Sequence, residues 1–372
     1  MTDKRIYKYS PSELAACFLG VFLLALMLRN SEVAIKHVKD ALSVCGGVLI
    51  PALFPFMVLS DIFIKSGAAD TLGTLFAAPM RALFGVSGTG ASAILLGALC
   101  GFPIGARCAV SLFDIGAIEK DECERLIAIS STPSAAFLIS AVGVSIFGSR
   151  PLGRALYFAT LLASLTTGVI LNLISRRRRK KAVLPAPCEI ATTPPKRKRS
   201  TGAYLSDSIS ASADAMLRVC AFVVFFTAFL GVLTEALGAM NLPQIALAMI
   251  SSVFELTGGV RAAASLSPSA LAVTLAAFAA GWSGISVHLQ IASICDGRGI
   301  SLRPYIISKL VSGVFTAAMM SLYLRLAPPE LHTDTAVYLT TPHGAHIVSA
   351  AFAVILVIGM LKRVRRNGHK RI

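Results

Sequence analysis

The sequence predicts an all-α polytopic membrane protein built from two related halves with interrupted helices. Hydrophobic residues make up 55% of the chain and charged residues only 15%, and the mean hydropathy is +0.73. A soluble domain of 372 residues needs more charge to cover its surface. The apolar residues also run in long blocks, and a membrane span requires about 20 of them in succession. Because lipid offers no partners for the backbone groups of an open sheet, we expect these blocks to be helices.

Ten apolar blocks meet or approach the length of a membrane span. The first follows Lys4, Arg5 and Lys8 and precedes no small-x-small cleavage site, so we interpret it as an uncleaved span rather than a signal peptide. The blocks occupy residues 12–28, 41–64, 90–113, 125–147, 152–174, 208–237, 243–260, 268–295, 304–327 and 346–361.

The placement of positive charge indicates topology rather than nucleic-acid binding. The formal net charge is +16, and basic residues gather at 176–181, 196–199 and 362–371, just outside apolar blocks. This positive-inside pattern predicts a multi-pass protein of the cell membrane whose linker and C-terminus are cytoplasmic. Membrane lipid is the expected partner of these basic clusters. No nucleic-acid partner is expected, since no basic face carries interleaved aromatic residues.

A long polar stretch divides the chain into two membrane halves, because it is too polar to cross lipid and too rich in proline for one helix. The predicted organisation is an N-terminal span with an amphipathic connector, a first half, a basic proline-rich cytoplasmic linker, a second half and a basic cytoplasmic tail. These parts cover residues 1–40, 41–175, 176–206, 207–361 and 362–372.

Short motifs recur in the same order in the two halves, which favours an internal duplication. The matched pairs are residues 84–88 with 254–258, 101–105 with 281–285, 114–118 with 296–300, and Val44 and Cys45 with Val219 and Cys220.

The repeated motifs contain Gly or Pro inside apolar blocks, which frees backbone groups at membrane depth. Such groups are tolerated only inside protein or beside a wet cavity, and paired interruptions indicate a transporter binding site. Glycine also permits close helix packing, but the Pro and two glycines of residues 101–105 favour an interruption. Five crossings in the second half would place linker and tail on opposite sides, and the simplest way to avoid this is one re-entrant segment in that half. We favour residues 243–260, whose counterpart by repeat, 68–86, is also short and broken. The relative orientation of the halves stays open.

Arg107 is the first ionisable candidate, because a guanidinium in an apolar block can clamp a carboxylate with two hydrogen bonds. A structural pair with Asp114, or a side chain that reaches the membrane surface, is the alternative. Asp61 and Lys65 lie one helical turn apart and are expected to form a structural pair.

Glu255 lies in the second-half motif, where it would bind a cation, a proton or a substrate donor, or else pair with Arg261. Ser131 and Thr132 belong to a polar run before Pro133 and either satisfy freed carbonyls or line a polar pocket.

Trp282, the only tryptophan, provides a stacking platform or fills a packing gap. His288 and Gln290 follow it and are expected to face the same cavity. The predicted substrate-binding set is Ser87, Gly88, Gly101, Phe102, Pro103, Gly105, Arg107, Ser131, Thr132, Glu255, Thr257, Gly258, Gly281, Trp282, Ser283, His288 and Gln290.

The catalytic and nucleotide-binding motifs that the sequence lacks predict the class of function. No Walker loop, H-E-x-x-H motif or carboxylate-rich cluster is present, so we expect no cofactor, no metal and no enzymatic activity. Transport would then be secondary or facilitated, with an ion or a proton as coupling species; the oligomeric state stays open. The remote alternative is a rhomboid-like serine protease, with Ser283 as nucleophile and His343 or His346 as base.

The motifs resemble those of YlbJ-type sporulation integral membrane proteins. The resemblance rests on residues 79–84, 88–91 and 101–107 in the first half and on 255–259 and 281–290 in the second, and covers about residues 40–327. This chain carries Arg107 where the family typically has Lys, and residues 131–134 lack the Asn and Gly-Pro associated with the family there.

The resemblance implies membership of the nucleoside-recognition, or gate, group, which is related to concentrative nucleoside transporters. It implies transport of a small anionic solute, dipicolinic acid, into the forespore across the outer forespore membrane during sporulation. A carrier of nucleosides or other small molecules and a non-transport sporulation scaffold are the alternatives.

Overall fold

A computed structural model describes residues 11–66, 68–179, 201–266 and 270–326, and these are helical throughout apart from short connections. The all-α prediction is confirmed. Apolar block 346–361, the tail and most of the linker lie outside the described residues. Among the described residues, four helical segments are long and apolar enough to cross a membrane alone: Arg150–Arg176, Leu205–Gly238, Ala270–Cys295 and Arg303–Leu326.

The helices follow the chain in two halves. The first half contains α1 (Pro11–Arg29), α2 (Ser31–Val44), a π turn (Cys45–Leu49), α3 (Ile50–Ser66), α4 (Ala68–Pro79), a π turn (Met80–Phe84), a 3₁₀ turn (Gly88–Gly90), α5 (Ala91–Cys100), α6 (Phe102–Asp114), α7 (Lys120–Ser130), a π-helix (Phe137–Ile146) and α8 (Arg150–Arg179). The second contains α9 (Thr201–Gly238), α10 (Gln244–Phe254), α11 (Leu256–Ala264), α12 (Ala270–Trp282), α13 (Gly284–Cys295) and α14 (Arg303–Leu326).

Helices α2 and α3 form one rod that runs antiparallel to α9. His37 of α2 packs against Gly231 near the end of α9. Further along the rod, the Cys45 thiol approaches the Cys220 carbonyl at 4.0 Å. Val44–Cys45 and Val219–Cys220, which were matched as equivalent motifs, therefore lie next to each other.

Helices α5 and α6 form a hairpin, the first hairpin, with its tip at Gly101. The tip backbone has φ +101°, a conformation that L side chains rarely adopt. The two arms then touch, since a Cβ on Gly105 would lie 2.8 Å from the Cα of Gly97. The prediction that residues 90–113 form a span is wrong, because the chain turns back at Gly101.

Helices α10 and α11 form the second hairpin, with extended backbone at Glu255 (φ −147°, ψ 132°). Its arms also touch, because a Cβ on Gly259 would collide with the Cα of Ser252. Residues 243–260 therefore turn back on themselves, as the charge pattern of linker and tail predicted.

Helix α7 and the π-helix form a broken segment that runs antiparallel to α8. The Ser164 hydroxyl of α8 donates to the Ile129 carbonyl at 2.7 Å. Nearer the start of α8, a Cβ on Gly143 would lie 2.5 Å from the Cα of Gly153. Residues 131–134, between these two contacts, are not helical and form the first break, close to the middle of the Arg150–Arg176 span.

The end of α8 defines one face of the molecule, the linker face. There the Asn172 amide donates to the Leu83 carbonyl at 2.9 Å, and Arg176 donates to the Arg81 carbonyl at 3.0 Å. The residue that starts the first hairpin region, Ser87, is held at this face because its N–H donates to Glu122 at the start of α7.

The loop between α13 and α14 lies at the same face. Arg298 forms two hydrogen bonds with Asp114 at 2.8 and 2.9 Å, which raise the pKa of the guanidinium. The Ser301 N–H donates to Glu124 at 2.8 Å. Polar turns 114–118 and 296–300, matched in the sequence, therefore meet as neighbours.

The two hairpins enter from opposite faces. The first begins and ends at the linker face, whereas the second follows the far end of α9, which starts at the linker face and crosses. The two halves are therefore inverted relative to each other, an orientation that the sequence left open.

This inversion corrects most of the predicted pairings between the halves. The corrected pairs are residues 101–105 with 281–285, 84–88 with 254–258, 114–118 with 296–300, and 68–86 with 243–260. In the structure, Gly101 is equivalent to Glu255, since both are hairpin tips. The first break is equivalent to Ser283, where one 26-residue segment, Ala270–Cys295, is interrupted without turning back. Residues 101–105 and 281–285 have similar sequences because both need glycine for close backbone approach. The chain turns back at the first motif and continues in the same direction through the second.

The inverted topology predicts which surface residues share a face. In a cysteine-free background, Ile115→Cys and Arg298→Cys should react with a membrane-impermeant maleimide from the same side, and Met240→Cys from the other. All three residues are exposed or at exposed loops. Labelling is measured in sealed vesicles of known orientation, and reaction of Met240→Cys and Ile115→Cys from one side would contradict the topology.

Candidate functional site

The first hairpin tip packs against the first break. A Cβ on Gly101 would lie 3.3 Å from the backbone N of Ser134, and Gly97 and Gly105 both close on the Ser130 carbonyl. The Thr132 hydroxyl donates to the Gly97 carbonyl at 3.4 Å. Backbone and hydroxyl groups of the break are thus enclosed by the hairpin rather than by lipid.

The second hairpin tip packs against the second break, Ser283. A Cβ on Gly284 would lie 3.0 Å from the Cα of Glu255. The Glu255 carboxylate caps α11, because it accepts hydrogen bonds from the N–H groups of Thr257 at 2.9 Å and Gly258 at 2.5 Å. Ser283 itself is buried in the left-handed conformation, with φ +75°.

Helix α14 joins the two sites through a buried polar stripe. Lys309 is fully buried and donates from Nζ to the Ser131 carbonyl of the first break. One turn earlier, the Tyr305 hydroxyl is 2.9 Å from His288 Nδ1 of α13. The stripe continues to Ser312, whose hydroxyl lies 3.2 Å from that of Thr167 in α8.

Several buried polar atoms near the breaks have no hydrogen-bond partner among the described residues. Leaving such an atom unpaired is costly, so a water or ligand partner is expected at most of them. The atoms are Ser130 Oγ, Ser131 Oγ, His288 Nε2 and Gln290 Oε1.

A cleft with two arginines lies between the first hairpin, the α3 rod, α9 and α13. Its cavity volume is about 40 Å³, and it is lined by Met57, Pro103, Arg107, Ala215, Arg218, Val219, Phe222, Gln290, Ser293 and Ile294. Arg107 is half-buried and spends one donor on the Ala211 carbonyl at 2.8 Å. Among its lining residues are two arginines and no acidic residue.

The structure decides between the alternatives for the ionisable groups. Asp114 pairs with Arg298, so the proposed Arg107–Asp114 pair is wrong. The Asp61–Lys65 pair is confirmed at 2.5 Å. Asp61 also borders a smaller cleft that shares Arg107.

Three residues of the predicted substrate-binding set make structural contacts elsewhere in the fold. Ser87 and Gly88 lie at the linker face, where Ser87 bonds Glu122 and Gly88 packs on the Gly73 carbonyl. They are separated from the tip at Gly101 by the ten residues of α5, about 15 Å of helix. Gly281 serves helix packing, since a Cβ there would lie 2.6 Å from the Cα of Gly313.

The aromatic residues of the predicted set hold helices together. The Trp282 indole donates to the Val253 carbonyl at 2.9 Å and packs edge-on against His288 at 4.3 Å. Half-buried Phe102 packs against two hydrophobic clusters of the described residues, one that includes Ile104 and one that includes Leu138. Packing, rather than an open stacking platform, is what these contacts provide.

Three polar residues of the site were missed by the sequence reasoning: Lys309, Tyr305 and Arg218. Lys309 and Arg218 lie inside predicted blocks 304–327 and 208–237, where an ionisable residue is itself a functional signal. Tyr305 carries no such signal, because only its contact with His288 distinguishes it from other interfacial tyrosines.

Within the described ranges, no three His, Cys, Asp or Glu residues are grouped as metal ligands would be. The Ser283 hydroxyl donates to the Ala280 carbonyl at 3.4 Å. His343 and His346, the bases of the protease alternative, lie outside the described residues.

The fold and the site define a class: an integral α-helical membrane protein with two inverted hairpin–broken-helix units. The chain is similar to the sporulation integral membrane protein YlbJ of Bacillus subtilis (strain 168), with 29% identity over 334 residues that cover 83% of this chain and 81% of that protein. This similarity supports the YlbJ-type resemblance. No family model matches the chain, and neither does a solved structure.

Capping by Glu255 predicts a large effect of its removal on the second hairpin. Glu255→Ala should lower the free energy of unfolding by about 1–2 kcal/mol, because two backbone N–H groups lose their hydrogen-bond acceptor. Thermal unfolding in detergent and hydrogen exchange at Thr257 and Gly258 measure this. Asp296→Ala is the control, since that exposed carboxylate accepts a hydrogen bond from the Gly297 N–H of its own loop. Equal effects of both substitutions would contradict the capping role.

Proposed function

We propose that this chain is a secondary or facilitated transporter of a small anionic solute. The observation that carries the proposal is the meeting of each hairpin tip with a helix break, at Gly101–Ser134 and at Glu255–Gly284. Inverted units of this kind suit alternating access, because rocking one unit against the other opens a central site to each face in turn.

The charge of the cleft supports an anion as the substrate. Arg107 and Arg218 line it together, and guanidinium groups bind carboxylates with two parallel hydrogen bonds. Cations within membrane spans are costly unless a counter-charge is present, so an arriving anion would be stabilised. Gln290 adds a buried amide, which can donate through its NH₂ group.

The similarity to YlbJ supports a role in sporulation, and through the resemblance we propose dipicolinic acid as the solute. Dipicolinate is a flat dianion whose two carboxylates suit two guanidinium groups. The proposed location is the outer forespore membrane, with the linker and tail cytoplasmic, as the positive-inside pattern indicates.

Three alternatives make different demands on the same residues. A nucleoside carrier would not depend on paired arginines, because nucleosides are uncharged. A sporulation scaffold would need no unpaired polar atoms such as Ser131 Oγ at mid-span. A protease would need Ser283 for activity, although its hydroxyl now bonds Ala280. We propose that the chain is not an enzyme.

The proposal predicts that uptake depends on Arg107. Purified protein in vesicles should take up labelled dipicolinate, and Arg107→Ala should lower the initial rate at least about tenfold, since charge-assisted hydrogen bonds are lost. Arg107→Lys should retain part of the uptake rate, because lysine keeps the positive charge but lacks the two parallel N–H donors of the guanidinium group. Arg298→Ala is the control, as this arginine lies at the linker face outside the cleft.

The same vesicles distinguish the alternatives. Excess unlabelled uridine should leave dipicolinate uptake unchanged, and Ser283→Ala should do the same. Uptake of uridine but not dipicolinate would instead support the nucleoside carrier. Absence of uptake of either solute by folded protein would support the scaffold.

A further inference from the structure

Lys309 presents an electrostatic problem that the anion cleft does not explain. Its side chain is 0% exposed, lies in the first third of the α14 span, and has the Ser131 carbonyl as its hydrogen-bond acceptor. No described carboxylate lies within ion-pair distance of its Nζ atom. An ammonium buried without an anion is strongly disfavoured, so Lys309 stays charged only where oxygen atoms of the protein supply negative potential.

The first break supplies this potential. Helix α7 ends at Ser130, and the last carbonyls of a helix carry the negative end of its dipole. The Ser131 carbonyl lies immediately beyond that end and faces Lys309. The hydroxyls of Ser130 and Ser131 belong to the same break, are at most 1% exposed and have no described partner.

This set of groups is chemically a site for a small hard cation. Unwound backbone carbonyls and the C-terminal ends of broken helices are the groups that hold Na⁺ or a proton in membrane transporters. Carbonyl and hydroxyl oxygens are also the ligands of hard cations. In this chain a side-chain ammonium already occupies the position beside the Ser131 carbonyl.

We propose that Lys309 is a tethered cation which fills the oxygen site of the first break, so that no free cation binds there. The four-carbon stem holds the ammonium on α14, which packs against α7, α8 and α12. The charge therefore stays in the protein through every conformational cycle. His288 and Tyr305 are the neighbouring titratable groups on the side of α13 and α14, and neither supplies a negative charge in its neutral form.

The consequence for transport rests on the proposed function: uptake would be independent of Na⁺ at this site. The molecular claim does not rest on it, because cation binding can be measured without any solute. A ligand that binds only the folded state raises the melting temperature in proportion to its occupancy. Failure of uptake and failure of the tethered cation are thus separate results.

The experiment compares melting temperatures in detergent with NaCl or choline chloride at equal ionic strength. The wild type should melt at the same temperature in both salts. Lys309→Ala, which empties the site, should melt lower and should regain about 3 °C or more, saturably, with Na⁺, Li⁺ or methylammonium. Lys39→Ala is the control, because Lys39 is an exposed lysine of α2, outside both breaks, and its removal should create no cation response.

A second variant covers the case in which Lys309→Ala does not fold. Lys309→Met keeps the apolar stem and the volume but removes the charge, so it should melt lower than wild type and gain nothing from Na⁺. Three results would overturn the proposal: saturable stabilisation of the wild type by Na⁺, a folded Lys309→Ala variant that no cation stabilises, or a Lys309→Met variant as stable as wild type.

Discussion

The structure depends on one constraint: backbone N–H and C=O groups freed at membrane depth must find partners inside the protein. Both broken segments satisfy this constraint in the same manner. Each break is contacted by the tip of its own hairpin, and the two hairpins enter from opposite faces. At the first break the partners include Lys309 and the arms of the first hairpin. At the second, Glu255 caps the hairpin that covers Ser283.

Close backbone approach makes this arrangement physically feasible. Where the first hairpin contacts the end of α7, a Cβ at Gly97 or Gly105 would overlap the Ser130 carbonyl. Where α12 crosses α14, Gly281 and Gly313 leave no room for side chains. Small residues thus replace the hydrophobic effect as the source of specificity, because lipid tails are as apolar as any side chain. The polar residues then decide which side of each helix faces inward.

Arg107, Arg218 and Lys309, three basic residues of the apolar helices, lie in two regions, for which we propose different roles. Arg107 and Arg218 border a cleft that is partly open, where an exchangeable anion would complete the electrostatics. Lys309 lies beside the buried first break, where an oxygen atom of the protein accepts a hydrogen bond from its ammonium group. An exchangeable partner is a feature of a transported solute, whereas a permanent partner is a feature of structure. The arginines thus support the proposed transport of an anion, and Lys309 supports the proposed absence of a free cation at the first break.

The sequence by itself determined the membrane class and the all-α fold, and it predicted that residues 243–260 turn back and that the helices are interrupted around Gly101 and Ser283. These follow from local composition, since hydropathy, charge placement and glycine act over one helix length. Only the tertiary structure decided that Gly101 is equivalent to Glu255, that the halves are inverted, and that Lys309 meets Ser131. Those relations join residues more than 150 positions apart, and a glycine motif does not state whether the chain turns back or continues.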